Sequence, residues 1–63
     1  MDLHAITNRV RSEFIEMPGL QLTLSQASRL WSLDTATCQQ VISALVESAF
    51  LRWTVSGTVV RTV

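Results

Sequence analysis

Two arginines, Arg52 and Arg61, are the residues of this 63-residue chain whose spacing most clearly suggests chemistry. Both lie in the segment 50–63, which is rich in β-branched and aromatic residues and broken only by a Ser-Gly pair, so the sequence predicts a β-hairpin. A two-residue loop at that pair would place the arginines directly opposite each other, and facing like charges destabilise a sheet unless something compensates. A bound anion such as phosphate would compensate. Alternatively, the guanidinium groups extend into solvent, or one of them pairs with Glu47.

The same two-residue loop at Ser56 and Gly57 sorts the other side chains of the hairpin, because neighbouring residues of a strand point to opposite faces. The face expected to cover the helices carries Leu51, Trp53, Val55 and Val60. The outward face is expected to carry Arg52, Thr54, Val59, Arg61 and Val63. Trp53 is therefore expected in the core, as is Trp31 from the apolar stripe of the second helix. A three-residue loop would instead move the two arginines to opposite faces.

Few other residues could support chemistry. The single cysteine, Cys38, excludes an internal disulfide and a multi-cysteine zinc site, and its place on an apolar helix face favours a core role over a reactive thiol. His4 has no second metal ligand near it in the sequence. The chain also lacks a nucleophile with a matching base, a carboxylate pair suited to a pocket and a glycine-rich phosphate loop. We therefore expect no enzymatic activity, metal, cofactor or small-molecule substrate.

Composition limits the class of partner. Five arginines and no lysine balance five acidic residues, so the formal net charge is zero, which argues against strong nucleic-acid binding. Nearly half of the residues (48%) are apolar, which leaves surface that could serve an interface with a second copy or another protein. The sequence shows no signal-peptide pattern and no apolar run of membrane-spanning length. We therefore expect a cytoplasmic protein without membrane contact.

The middle of the chain predicts two short helices joined by a tight turn. Thr23 and Gln26 have the spacing of a capping box, which starts helix two, predicted over 24–32. Asp34 is a second N-cap candidate and starts helix three, predicted over 35–48. Apolar and small residues follow the helical period in both helices: Leu24, Ala27, Ser28 and Trp31, then Cys38, Val41, Ile42, Leu45 and Val46.

The N-terminal part predicts one further helix. Helix one, predicted over 2–17, has apolar residues three or four positions apart and Asp2 as its start signal. A Pro-Gly pair ends it, and alternating leucines then predict a brief strand over 20–23. The chain 1–63 is therefore expected to form a single domain, mainly α with a small β-hairpin (α+β), with three helices and a wing of two or three antiparallel strands.

This order of elements resembles a winged helix-turn-helix domain, similar to the DNA-binding portions of MarR-like and IclR-like bacterial transcription regulators. The resemblance is carried by LTLSQASRLWSLD, at the place of helix two and its turn, and by ATCQQVISALVESAFLR, at the place of the recognition helix and first wing strand. The chain departs from these families at Ser32 and Ala49, where relatives usually have glycine. A left-handed conformation at Ala49 would cost about 1 kcal/mol.

The resemblance implies that the chain binds double-stranded DNA, with helix three in the major groove and the wing on the backbone. The side chains implied to read base edges are Thr35, Thr37, Gln39, Gln40 and Ser43. The side chains implied to contact phosphate are Arg29, Arg52 and Arg61. The polar residues would equally form the ordinary solvent face of an amphipathic helix. A second hypothesis is therefore a winged-helix module for protein–protein interaction or dimerisation, without DNA binding.

Overall fold

The computed structural model describes residues 2–62 and contains three helices followed by an antiparallel hairpin. The helices are α1 (Leu3–Glu16), α2 (Leu24–Leu30) and α3 (Thr35–Glu47), and the strands are β1 (Leu51–Trp53) and β2 (Val59–Arg61). This confirms the α+β class with three helices and a small sheet. Each helix begins and ends within two residues of its predicted bounds. Residues 1 and 63, including the predicted outward placement of Val63, lie outside the described residues.

Each helix begins at a residue that the sequence marks as an N-cap. At α1, the carboxylate of Asp2 accepts a hydrogen bond from the His4 amide at 3.0 Å. At α2 the capping box is complete, because Thr23 Oγ1 accepts from the Gln26 amide at 3.1 Å and Gln26 Oε1 accepts from the Thr23 amide at 2.9 Å. At α3 the cap is Asp34. These side chains satisfy backbone N–H groups that have no partner within their helix, and so they fix where each helix starts.

Helices α2 and α3 both end in a left-handed residue that is not glycine. Ser32 has φ 54° and Ala49 has φ 64°, and each occupies the C′ position of a Schellman motif. The amide-to-carbonyl hydrogen bonds of the two motifs are Ser32 to Arg29 (3.3 Å), Leu33 to Ser28 (2.9 Å), Ala49 to Val46 (3.0 Å) and Phe50 to Leu45 (3.0 Å). The left-handed conformation considered for Ala49 is thus present, and it costs about 1 kcal/mol in a residue that has a Cβ.

One hydrophobic core lies between the helices and the inner face of the hairpin. Its largest fully buried side chains include Phe14 of α1, Ile42 of α3 and Leu51 of β1. The rings of Phe14 and Trp31 lie 6.2 Å apart with an interplanar angle of 56°, a tilted arrangement that suits aromatic pairs. Cys38 is fully buried, and this burial raises the pKa of its thiol. All buried residues within α2 and α3 belong to the apolar stripes predicted from the sequence.

The hairpin register differs by one residue from the predicted one. Leu51 lies opposite Arg61, Arg52 opposite Val60 and Trp53 opposite Val59. The predicted pairing of Arg52 with Arg61 is therefore wrong. Arg61 shares a face with its partner Leu51, whereas Arg52, the next residue of β1, points to the other face. The two arginines therefore lie on opposite faces of the sheet.

The shift arises because the hairpin loop contains three residues, Val55, Ser56 and Gly57, rather than two. The Gly57 amide donates to the Thr54 carbonyl at 3.1 Å, and the Thr54 amide donates to the Thr58 carbonyl at 2.8 Å. Gly57 has φ 86°, a left-handed conformation that suits glycine at the last position of such a loop. The Thr54 hydroxyl also lies 2.9 Å from the Ser56 hydroxyl and 2.8 Å from that of Thr58, so local side-chain hydrogen bonds stabilise this loop.

The three-residue loop exchanges the faces of the second strand relative to the prediction. Val59, predicted outward, is fully buried, whereas Val60, predicted inward, is half-buried on the other face. Val55 is fully exposed in the loop, so the prediction that it covers the helices is wrong. Trp53 shares the inner face with Leu51 and Val59, as predicted, but it is 40% exposed and therefore is not the core residue that was expected. Leu51 is buried, as predicted.

The brief strand predicted over 20–23 is reduced to a single antiparallel bridge between Leu22 and Val59. The Val59 amide donates to the Leu22 carbonyl at 2.7 Å, and the Leu22 amide donates to the Val59 carbonyl at 3.3 Å. Val59 is therefore held between β1 and the segment that precedes α2. This contact attaches the hairpin to the helical part of the chain.

Candidate nucleic-acid interface

Helix α3 separates its residues into a buried face and a polar face. The buried face contributes four residues to the core, and the five predicted base-reading residues lie outside it. Thr35, Gln39 and Gln40 are exposed, whereas Thr37 and Ser43 are half-buried. The predicted set therefore lies outside the buried face of α3, with Thr37 and Ser43 partly covered.

Two hydrogen bonds organise this polar face. The Thr37 hydroxyl donates to Asp34 Oδ1 at 2.6 Å, while the Thr37 amide donates to Asp34 Oδ2 at 3.1 Å. Gln39 Nε2 donates to Ser43 Oγ at 3.2 Å, one helical turn further on. Thr37 therefore forms part of the helix cap. Unlike Gln39, Gln40 makes no side-chain hydrogen bond to another described residue of α3.

The cap also fixes a negative charge at the start of α3. The hydrogen bonds from Thr37, first from its hydroxyl and then from its amide, lower the pKa of Asp34 below its ordinary value of 3.8. The carboxylate is therefore ionised at neutral pH, at the positive end of the helix dipole. A nucleic acid that approached this end would meet helix amides and one exposed anionic group together.

The three predicted phosphate-contacting arginines come from three different elements and differ in exposure. Arg29 is exposed in the last turn of α2, and Arg52 is exposed on the outward face of the hairpin. Arg61 is half-buried, and its guanidinium carbon lies 5.4 Å from the ring centroid of Phe50. The expectation that the outward face carries both hairpin arginines is wrong, because the three-residue loop leaves only Arg52 there.

Sequence reasoning missed two features around the hairpin. A shallow groove of about 280 Å³ lies between the segment 18–21 and the hairpin, where Arg52, Thr54, Arg61 and Thr62 contribute polar groups. In addition, the guanidinium carbon of Arg11 lies 5.1 Å from the ring centroid of Phe50. No local pattern could indicate either feature, because each joins segments that are far apart in the sequence.

Large apolar side chains remain accessible on two parts of the molecule. Trp53 and Val55 are exposed at the hairpin, and the helices and their ends carry further examples: Leu3, Ile15, Met17 and Leu30. Among residues 2–62, no group of three or more His, Cys, Asp or Glu side chains is arranged to hold a metal ion. Within the same part of the chain, no helix is both long and apolar enough to cross a membrane.

The helices and hairpin together have a layout compatible with a winged helix: two helices joined by a tight turn, a third helix packed against them, and an antiparallel hairpin after the last helix. The chain matches no family model, and no curated protein or solved structure matches it. The roles of residues at the candidate interface therefore rest on the geometry of this chain alone.

Proposed function

We propose that the chain is a winged helix-turn-helix domain, similar to those of MarR-like and IclR-like regulators, that binds double-stranded DNA through α3 and the hairpin. The observation that carries this proposal is the exposure of Thr35, Gln39 and Gln40 on a helix whose opposite face is buried in the core. Such a helix is held rigidly and can enter the major groove with its polar side chains toward base edges. This role would place the chain in the cytoplasm.

The polar residues of α3 have different roles in this proposal. Gln40 is free to donate and accept at the edge of adenine, as glutamine does in other major-groove contacts. Gln39 is already oriented by Ser43, which lowers the cost of holding its amide in one position. Thr37 contributes through the Asp34 cap, and Thr35 is exposed at the first position of the helix.

Arg29 and Arg52 are the phosphate contacts of this proposal, because both are exposed and they come from the elements before and after α3. The formal net charge of zero leaves little non-specific attraction to the phosphate backbone. Binding by a single copy is therefore expected to be weak and sensitive to salt. A dimer or an attached domain would raise the affinity by adding contacts.

The test is a binding titration with a fluorescent duplex that has been selected from a random pool. Gln40→Ala should reduce discrimination between the selected duplex and a random one by about tenfold, since a good base contact is worth about 1–3 kcal/mol. Asn8→Ala, which removes an exposed amide from α1, should leave discrimination unchanged. Equal losses in the two variants would contradict the assignment of α3 as the reading helix.

The phosphate assignment is tested through salt dependence. Arg52→Gln should weaken binding to all duplexes and reduce the slope of log affinity against log salt by about one. Arg9→Gln, an exposed arginine on α1, is the matched control and should change the slope much less. Unchanged slopes in Arg52→Gln would remove the hairpin from the DNA contact.

A second candidate function is protein–protein interaction or dimerisation, and one observation favours it. Trp53 is 40% exposed and Val55 is fully exposed, so the hairpin presents apolar rather than cationic side chains near its loop. Exposed apolar groups of this kind are typical of contact surfaces. Sedimentation that shows association in the wild type and its loss in Trp53→Ser, together with no DNA binding, would favour this function over the first.

A further inference from the structure

Two arginines from distant parts of the chain converge on one aromatic ring. The guanidinium carbon of Arg11, on α1, lies 5.1 Å from the centroid of the Phe50 ring, and that of Arg61, on β2, lies 5.4 Å from it. The two carbons can therefore be no farther apart than about 10.5 Å, the sum of those distances. The Debye length is about 8 Å at physiological salt, so repulsion between the two positive charges is largely screened at this upper limit and grows only as the carbons lie closer together.

The backbone of Phe50, whose ring contacts both arginines, is held by hydrogen bonds on both sides. The Phe50 amide donates to the Leu45 carbonyl at 3.0 Å, as part of the motif that ends α3. The Phe50 carbonyl accepts from the Thr62 amide at 3.0 Å, which joins it to the segment after β2. The ring is half-buried and packs against the core. Both arginines are thus held near a rigid platform rather than at a mobile loop.

The ring leaves the hydrogen-bond donors of both arginines available. Attraction between a guanidinium group and an aromatic ring involves the π face and uses none of the five N–H donors as a hydrogen bond. Within residues 2–62, the structure contains no hydrogen bond or ion pair from the side chain of Arg11 or Arg61 to a protein acceptor. Two guanidinium groups that lie against one ring, each with unused planar N–H donors, are complementary to an oxyanion, which guanidinium groups bind in a bidentate manner.

The cluster lies away from the start of α3, although Arg61 and Arg52 line the same groove. Arg61 lies opposite Leu51, in the pair farthest from the hairpin loop, and on the opposite sheet face from Arg52. Phe50 follows the C-terminal end of α3, whereas Thr35 marks the other end of that helix, roughly 18 Å away along the axis. The cluster therefore does not require that α3 contact DNA.

We propose that Arg11 and Arg61, supported by the ring of Phe50, form an oxyanion site that binds a phosphate group. The two guanidinium groups donate to the phosphate oxygens, and the bound anion balances their positive charge. The phosphate can belong to a nucleic-acid backbone or to a small phosphorylated molecule. In either case the recognising chemistry is the same pair of planar cations.

The test is a titration of the whole chain with inorganic phosphate, followed by NMR of the arginine Nε–Hε groups. Saturable shifts are expected at Arg11 and Arg61, together with the Phe50 amide. Arg11→Gln and Arg61→Gln should each weaken phosphate binding by about tenfold, because each removes charge-assisted hydrogen bonds. Arg9→Gln is the matched control, since it lies two positions from Arg11 and so on another side of α1, and it should bind phosphate as the wild type does.

The outcomes separate clearly. Equal shifts at all five arginines, or no saturable shift at Arg11 and Arg61, would overturn the site. If Arg11→Gln fails to fold by circular dichroism, Arg11→Lys keeps the charge and loses the planar fork, so weakened phosphate binding in it supports the site and unchanged binding overturns it.

A second titration with a short duplex identifies the source, because shifts at the same two arginines indicate a phosphodiester. Shifts with inorganic phosphate alone indicate a small phosphate ligand. Duplex-induced shifts over residues 35–43 report on α3 and test the DNA proposal separately.

Discussion

Helix α3 and the hairpin follow each other in the chain, yet they fix the direction of their side chains by different means. In α3 the cap at Asp34 sets the start, and the helical period then places Cys38, Val41, Ile42 and Leu45 in the core. Moving either end of a helix by one residue leaves its faces unchanged. In the hairpin, one residue more or fewer in the loop exchanges the two faces of a strand. Helix faces are therefore robust, whereas the faces of a hairpin depend on a single local choice.

The candidate surface combines a helix face that is set by the helical period with a hairpin face that is set by loop length. The polar face of α3 is fixed because all four buried residues follow one helical period, and small changes at the ends of the helix would leave it in place. The charge pattern of the hairpin rests on the three-residue loop, which directs Arg52 outward and Arg61 toward Phe50. The proposed phosphate contact at Arg52 and the proposed oxyanion site at Arg61 both depend on that loop.

The largest expected effect tests the hairpin register. Val59→Ala should lower the free energy of unfolding by about 2 kcal/mol, because it removes two buried methyl groups and leaves a cavity next to Leu22. Val60→Ala, the matched neighbour on the half-buried face, should cost less than about 1 kcal/mol. Urea unfolding followed by tryptophan fluorescence measures both. The opposite order of effects would mean that the two-residue loop is the correct one.

Two Ala→Gly changes with opposite effects on stability test the end of α3, and both effects are smaller than that of Val59→Ala. Ala49→Gly should stabilise the chain by up to about 1 kcal/mol, because Ala49 is held at φ 64° and glycine adopts that conformation without a Cβ clash. Ala44→Gly makes the same chemical change at an exposed position inside the helix, and it should destabilise the chain by about 1 kcal/mol. Thermal unfolding of the pair gives the comparison. Destabilisation by both changes would contradict the left-handed end at Ala49.

The smallest effect concerns the start of α3 and its dependence on pH. The folded-state pKa of Asp34 lies below its ordinary value of 3.8, so its stabilising contribution is present above that value and is lost as pH falls through the lowered folded-state pKa. Asp34→Asn keeps a cap acceptor but does not titrate. The melting temperature of this variant should fall less steeply than that of the wild type as pH is lowered from 5 to 2, about the range over which a carboxylate titrates. Parallel curves would show that the Asp34 cap does not contribute in solution.

The same contrast explains what the sequence could predict. Helix starts were predictable because the cap and its partner lie three residues apart, as Thr23 and Gln26 do. The hairpin register was not, because a Ser-Gly pair fits loops of two or three residues. The choice between them depends on hydrogen bonds of the Thr54 hydroxyl and on the pairing of Val59 with Leu22, which lies far away in sequence.

The candidate site shows the same limit. Exposure of Thr35, Gln39 and Gln40 followed from the helical period, so the accessible face of α3 could be predicted. The engagement of Thr37 by the cap could have been recognised from its distance to Asp34 in the sequence. The position of Arg61 could not, because it depends on the loop length and on a ring that also meets Arg11.

DNA binding by α3 is tested most directly by an amide NMR titration of the chain with a duplex at low and moderate salt. We expect shifts over residues 35–43 and at Arg52, both decreasing as salt increases, because the phosphate contribution is screened. Absence of shifts on α3 at low salt would contradict the proposal that this helix reads DNA. Concentration-dependent line broadening centred on Trp53 and Val55, without any response to the duplex, would instead identify the hairpin as a protein contact.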